Sequence, residues 1–307
     1  HQLVRGVTAF TAACLLISNM IGTGIFGTTG FMARDIGIPV VILLLWFLGG
    51  FYALLGALCY SELGAAIPRA GGEYVYISQA YGRFWGFLSG WTSFTIGFSA
   101  AIAVSAHLFA NYLQQLSVNL GFTAIPIKAT AVVMVWGLTL IHILGIEAGG
   151  FVQRVLTIIK VAAICILILA GLAWGRGDWD HLVCHDSPVR LDWSIMLISF
   201  LFVTYSYSGW NAASYIAGEI REPGRNIPRA TIWGTICVTV LYLALNVFYF
   251  YSLPASQMAD GHIERVAYKS AEAAFGPVAA PLLTALFCVS LLGTASAMIW
   301  VGPRVYY

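Results

Sequence analysis

The stretch Asn19-Met20-Ile21-Gly22-Thr23-Gly24-Ile25-Phe26-Gly27 stands inside an apolar segment and holds three glycines within six residues. Glycine in a helix interior costs up to about 1 kcal/mol relative to alanine. A second run of small and polar residues, Thr204-Tyr205-Ser206-Tyr207-Ser208-Gly209-Trp210-Asn211, interrupts another apolar segment far downstream. Either run alone reads best as close packing, because small residues let membrane helices approach one another. Their meaning as a pair depends on where the spans lie.

The chain has 307 residues, 60% hydrophobic and 9% charged, whereas a soluble domain is about 25% charged. Uncharged stretches cover residues 6–33, 36–61, 193–218, 230–259 and 273–303, each longer than the ~20 residues that a spanning helix needs. A soluble enzyme is excluded, and the chain reads as an all-α, multi-pass membrane protein. Eight spans are expected, near 8–33, 38–66, 84–112, 126–146, 151–174, 193–218, 229–252 and 274–302, with a polar break from Asn111 to Gly121. The net charge of +2 is too even for a nucleic-acid partner. Five cysteines (Cys14, Cys59, Cys165, Cys237, Cys288) sit in apolar runs and only Cys184 in a loop, so no disulfide framework is expected. His107 and His142 lack metal-ligand spacing, and neither metal nor cofactor is expected.

Placing the N-terminus inside puts Arg5, Arg69, Arg83, Arg154, Arg221, Arg225, Arg229 and Arg304 on the cytoplasmic side. Arg34, Lys128, Arg176, Arg190, Arg265 and Lys269 fall outside, with the loop that holds Asp178, Asp180, Asp186 and Asp192. The cluster Arg221, Arg225 and Arg229 favours this orientation, since short-loop Lys/Arg bias sets topology. The expected location is a plasma membrane, the inner membrane in a bacterium.

With eight spans, the two interrupted segments fall in spans one and six. These are equivalent positions if residues 1–175 form one five-helix repeat and 176–307 a partial second. Paired interruptions at corresponding positions point to a transporter binding site, because unwound backbone at membrane depth is tolerated only where it lines a cavity. The amides of Thr23, Gly24 and Ile25 would open a second half-helix, whose positive end suits a carboxylate. The carbonyls near Met20 and Ile21 suit an ammonium. A free amino acid carries both charges. The chain begins at His1 and stops at Tyr307 directly after an apolar span, and a fragment is expected.

Four motifs resemble the amino acid–polyamine–organocation (APC) transporters, particularly the light-subunit branch of heteromeric amino acid transporters. They are Ile21-Gly22-Thr23-Gly24-Ile25-Phe26, Ile67-Pro68-Arg69-Ala70-Gly71-Gly72-Glu73-Tyr74-Val75-Tyr76, Ser208-Gly209-Trp210-Asn211 with Glu219 and Arg225-Asn226-Ile227-Pro228-Arg229-Ala230, and Gly302-Pro303-Arg304-Val305-Tyr306-Tyr307. The resemblance implies a LeuT-type fold of two inverted repeats, helices one and six unwound at mid-membrane, and about eight of an expected twelve spans present. It also implies residue roles. Gly22, Thr23 and Gly24 lie in the substrate motif, and Thr23 and Gly24 match positions that hold the carboxylate. The carbonyls of Met20 or Ile21, with those around Ser206 and Ser208, match acceptors of the amino group. Tyr205 matches an aromatic gate, and Ser93 is a candidate pocket-wall residue.

Lys160 lies about ten residues into span five, too deep at ~1.5 Å per residue to snorkel to the interface. An intramembrane charge is a functional residue by default. The resemblance places this lysine where sodium-coupled relatives hold a cation, which implies sodium independence and leaves a titrating and a tethering role both open. Glu62 reads as interfacial, and Arg69 and Glu73 as parts of a cytoplasmic loop or gate. With no acidic residue read as deep, neutral amino acids are the expected substrates. Spans one, two, six and seven would rock against the others in alternating access, coupled to exchange or to protons. The alternatives are a transport-inactive amino acid sensor or assembly subunit, and a membrane enzyme; for the latter no clustered catalytic set is visible, so no enzymatic activity is expected. The reading leaves oligomeric state and any accessory subunit open.

Overall fold

Thr8 opens the first helix by accepting the Thr11 amide on its hydroxyl at 3.2 Å, an N-cap that satisfies one of the donors every helix start leaves free. The computed structural model describes residues 4–119, 121–123, 125–183, 192–258 and 265–306. Cys184, Asp186, Arg190 and Tyr307 lie outside the described residues. Among the described residues every regular element is helical.

The first span is two helices, α1 (Ala9–Met20) and α2 (Gly24–Asp35). Helix α3 (Pro39–Ala66) starts on a proline whose missing N–H costs nothing at that position. A short α4 (Glu73–Tyr81) leads to α5 (Arg83–Thr92), which continues through a π-helical turn at Ser93–Phe98 into α6 (Ser99–Asn119). Then come α7 (Ile127–Ile143), α8 (Ile146–Trp174), α9 (Trp193–Ser206), the single turn α10 (Ala212–Tyr215), α11 (Pro223–Ser252), α12 (Ala255–Met258), α13 (Arg265–Phe275) and α14 (Ala279–Val301).

Six helical stretches are long and apolar enough to cross a membrane: Ala9–Asp35, Pro39–Ala66, Arg83–Val118, Ile146–Trp174, Pro223–Ser252 and Ala279–Tyr306. The other two expected spans are the shorter apolar helices α7 and α9. Three expected boundaries are corrected. The third span does not break at Asn111, because its side chain folds back to donate to the His107 carbonyl at 3.0 Å and the helix runs to Asn119. The seventh begins at Pro223, proline again occupying the first position. The eighth begins at Ala279, since Gly276 at φ +77° separates it from α13.

The two ends of the molecule separate the charges. At one end Val7 pairs with Ile220, the Val7 amide donating to the Glu219 carbonyl at 2.9 Å and the Arg221 amide to the Val7 carbonyl at 2.9 Å. This brings Arg5, Arg221 and, through its ion pair with Glu219, Arg304 together. At the other end lie the Arg34–Asp35 pair, Asp178, whose amide donates to Tyr251 at the close of α11, and Asp192. Asp192 caps α9 on the Ser194 amide at 2.8 Å, and that hydrogen bonding holds its carboxyl below the usual range.

Inside, two groups of helices are tied differently. Spans two, six and seven share an aromatic knot in which Trp46, Tyr207 and Tyr242 lie with ring centroids 4.9 to 5.8 Å apart, and span one joins it where the Met20 carbonyl accepts the Tyr242 hydroxyl. The Tyr207 hydroxyl donates to the Trp46 carbonyl at 3.1 Å. The fourth, fifth and eighth spans use polar links: His142 meets the Ser296 hydroxyl at 3.0 Å, and the Gln153 amide donates to the Gly293 carbonyl at 3.4 Å.

A candidate substrate site at two helix breaks

Helix α1 stops at Met20 and α2 resumes at Gly24, where Thr23 makes no side-chain cap. The first amides of α2 therefore have no intrahelical partner and form a positive helix end about midway along span one. The second break follows Ser206, where the chain turns through Gly209 at φ +105° before α10. That backbone region is open to glycine at little cost.

The breaks interlock. A Cβ at Gly24 would stand 2.5 Å from the Ser206 hydroxyl oxygen and 3.0 Å from its Cα, and one at Gly209 would stand 2.7 Å from Asn19 Nδ2. The Thr28 and Ser206 hydroxyls are 3.1 Å apart, and Thr29 donates to Asn246 on α11. The Tyr242 hydroxyl, also from α11, reaches the Met20 carbonyl at 2.7 Å and the Ser206 carbonyl at 3.1 Å. One side chain thus covers the carbonyl ends of both interrupted helices, which the absence of water would otherwise leave exposed at several kcal/mol each.

Lys160 is fully buried. Its Nζ donates to the carbonyls of Ile21 at 2.8 Å and Ser18 at 3.0 Å, and lies 3.3 Å from the hydroxyls of both Ser18 and Thr294. Three ammonium protons are shared among four oxygens drawn from the end of α1 and from α14. Gly293 permits the approach, since a Cβ there would meet Ser18 Oγ at 2.6 Å and Lys160 Nζ at 3.3 Å. The sequence locates the depth of Lys160; the structure adds the carbonyls it binds.

Three of the expected acceptors of an amino group, the carbonyls of Ile21, Met20 and Ser206, are already engaged. The Ile21 carbonyl takes Lys160 and the Thr294 hydroxyl, Met20 takes Tyr242 and the Gly22 amide, and Ser206 takes Tyr242. Tyr205, the expected gate, is 74% exposed, on the side of α9 away from buried Val203 and Tyr207. Ser208 is exposed beside it. Gly22 and Thr23 line a narrow cleft with Phe26, Tyr112, Phe287 and Ser290.

A larger cavity of about 800 Å³ runs from the second break along the third span, with Ser93 on its wall. Its polar lining includes three residues that sequence reasoning left out of the site: Asn19, Asn211 and Glu73. Asn211 Nδ2 donates to Glu73 Oε1 at 2.6 Å, and the Tyr60 hydroxyl donates to the same oxygen at 3.3 Å. Glu73 reads as a loop residue because its partners come from α3 and from the far side of the second break.

The sequence model of the amino acid permease family matches residues 7–307. The chain belongs to this family, within the APC superfamily. This permease is 30% identical over 307 residues to the serine/threonine exchanger SteT of Bacillus subtilis (strain 168), covering all of this chain and 68% of that protein. It is 27% identical over 308 residues to the b(0,+)-type amino acid transporter 1 of Mus musculus, covering 63% of it. Two solved structures share the fold. Mhp1, a nucleobase-cation-symport-1 family transporter solved with a bound bromovinylhydantoin, superposes with TM-score 0.68 at 14% identity, over 98% of this chain and 67% of that one. MhsT, solved with L-phenylalanine, gives 0.66 at 16% identity, over 98% and 73%. The permease is a multi-pass membrane protein with a LeuT-type fold.

Proposed function

We propose that this chain carries the substrate-binding part of a secondary-active transporter that exchanges neutral amino acids by alternating access. The observation that carries the reading is the pair of interlocked breaks at Ile21–Thr23 and Ser206–Asn211, with a positive helix end at Thr23 and Gly24 for the substrate carboxylate. The similarity to a serine/threonine exchanger and to amino acid transporters supports the substrate class. Residues 1–175 and 176–307 are proposed as the two repeats, each opening with its broken helix. The arginine-rich end, with Arg5, Arg221 and Arg304, is proposed to face the cytoplasm of a plasma membrane.

Lys160 is proposed to replace a coupling cation. Its ammonium already supplies a positive charge to the Ser18 and Ile21 carbonyls, so exchange needs no sodium. Counterflow of radiolabelled serine into proteoliposomes holding the full-length protein that contains this sequence tests both statements. Serine accumulation independent of sodium is the expected outcome, and no accumulation with any neutral amino acid sinks the transport reading.

A further inference from the structure

The 800 Å³ cavity contains a polar cluster beside the second break. Among the residues lining it, Glu73 is the only one with an ionisable carboxyl, and Tyr81, Trp85 and Tyr215 give it aromatic faces. One carboxylate oxygen of Glu73 is oriented by Asn211 and Tyr60. Asn19 supplies a second, independent observation: its Oδ1 is buried and has no hydrogen-bond partner among the described residues. Asn19 packs on Gly209, two residues before Asn211, so the orphan amide oxygen and the oriented carboxylate flank the same short turn. A buried acceptor left unpaired is destabilising, and a site keeps such an acceptor open where a donor comes and goes. A carboxylate, an amide oxygen and aromatic walls together fit a primary ammonium.

The cavity lies at the arginine-rich end. The Gly71 amide, just before Glu73, donates to the Tyr215 carbonyl at 3.0 Å, and Tyr215 leads within four residues to Glu219 and its partner Arg304. The Met20, Ile21 and Ser206 carbonyls at the breaks are already engaged, and none of them offers an ammonium a full negative charge. We infer that Glu73 and Asn19 form a separate vestibule subsite on the arginine-rich side, which receives the α-ammonium of the amino acid as it passes between the break and that end. This rests on the transport reading above.

Serine exchange measured separately from each side of oriented proteoliposomes tests it. For Glu73→Gln, the half-saturation concentration on the arginine-rich side rises about tenfold, as expected for loss of a charge-assisted hydrogen bond, and the opposite side is unchanged. Glu73→Asp, which keeps the charge, retains part of the affinity. Propylamine, an ammonium without a carboxylate, inhibits the unmodified protein from that side only. The same amine quenches or shifts tryptophan fluorescence of the purified protein, in which Trp85 lines the cavity, and leaves Glu73→Gln silent. Equal shifts on both sides, or amine insensitivity of the unmodified protein, overturn the subsite. Absence of exchange in the unmodified protein removes the transport reading instead, and amine binding then decides the subsite alone.

Discussion

Arg304 Nε lies 2.8 Å from Glu219 Oε1, while the Trp300 indole donates to Glu219 Oε2 at 3.2 Å. The Glu219 side chain is fully buried and that of Arg304 is 23% exposed. The end of the eighth span is thereby fastened to the segment that follows the second break. Removing one partner of a buried pair costs about 3–5 kcal/mol, mostly because the other charge is stranded. Arg304→Met should therefore lower Tm strongly, and adding Glu219→Gln should restore most of it. A double variant no more stable than Arg304→Met would show that the two are not coupled.

Gly22 and Gly24 should respond oppositely to alanine. A Cβ at Gly22 meets nothing within 4 Å, while one at Gly24 collides with Ser206, including its backbone. Gly22→Ala should keep exchange within a few-fold. Gly24→Ala should separate the half-helices, with overpacking costs of about 1–3 kcal/mol and loss of exchange. Equal tolerance in a counterflow assay would mean that the breaks do not interlock in the working protein.

Lys160→Ala strips the ammonium from the Ser18 and Ile21 carbonyls and the Thr294 hydroxyl. Exchange should fall more than tenfold, since unpaired groups in a dry interior cost several kcal/mol. The vacated oxygens should then bind a small cation, so sodium should raise the Tm of Lys160→Ala and not of the unmodified protein. A sodium response in both would contradict the cage.

Tyr242→Phe deletes the hydroxyl that reaches the Met20 and Ser206 carbonyls and leaves the ring in its aromatic knot. The loss should be about 1–3 kcal/mol, the desolvation cost of buried acceptors left unmade. Chemical denaturation in detergent reads it directly, and a change below about 0.5 kcal/mol, the range of ordinary surface substitutions, would place other donors at those carbonyls.

Thr23→Val keeps the amide of the α2 N-terminus and removes only the hydroxyl. The half-saturation concentration for serine should rise about tenfold, in line with ~1.5–3 kcal/mol for a hydrogen bond to a charged group. Unchanged affinity would leave carboxylate binding to the backbone alone.

The breaks are legible because glycine and serine are out of place inside apolar spans, and the depth of Lys160 because, after Arg154, it is the one charge before Arg176. The partners are not. Tyr242 is one of several tyrosines in an apolar segment, and only the packing of α11 against α1 and α9 aims its hydroxyl at two carbonyls. Glu73 looked like a loop residue because Asn211 and Tyr60 reach it from distant parts of the chain. The motif that marks Tyr205 carries no signal for which side of α9 its ring takes, and in the structure Val203 and Tyr207 hold the packed side.

The π-helical turn at Ser93–Phe98 has a consequence for labelling studies of the third span. Such a turn inserts one residue into the α-helical count, so side chains after Phe98 are rotated by about 100° relative to an unbroken 3.6-residue helix. A cysteine-accessibility scan along Arg83–Asn119 should show two periodic patterns out of phase with one another, the jump falling on the wall of the cavity. A single helical wheel drawn through this span would place half of its residues on the wrong face.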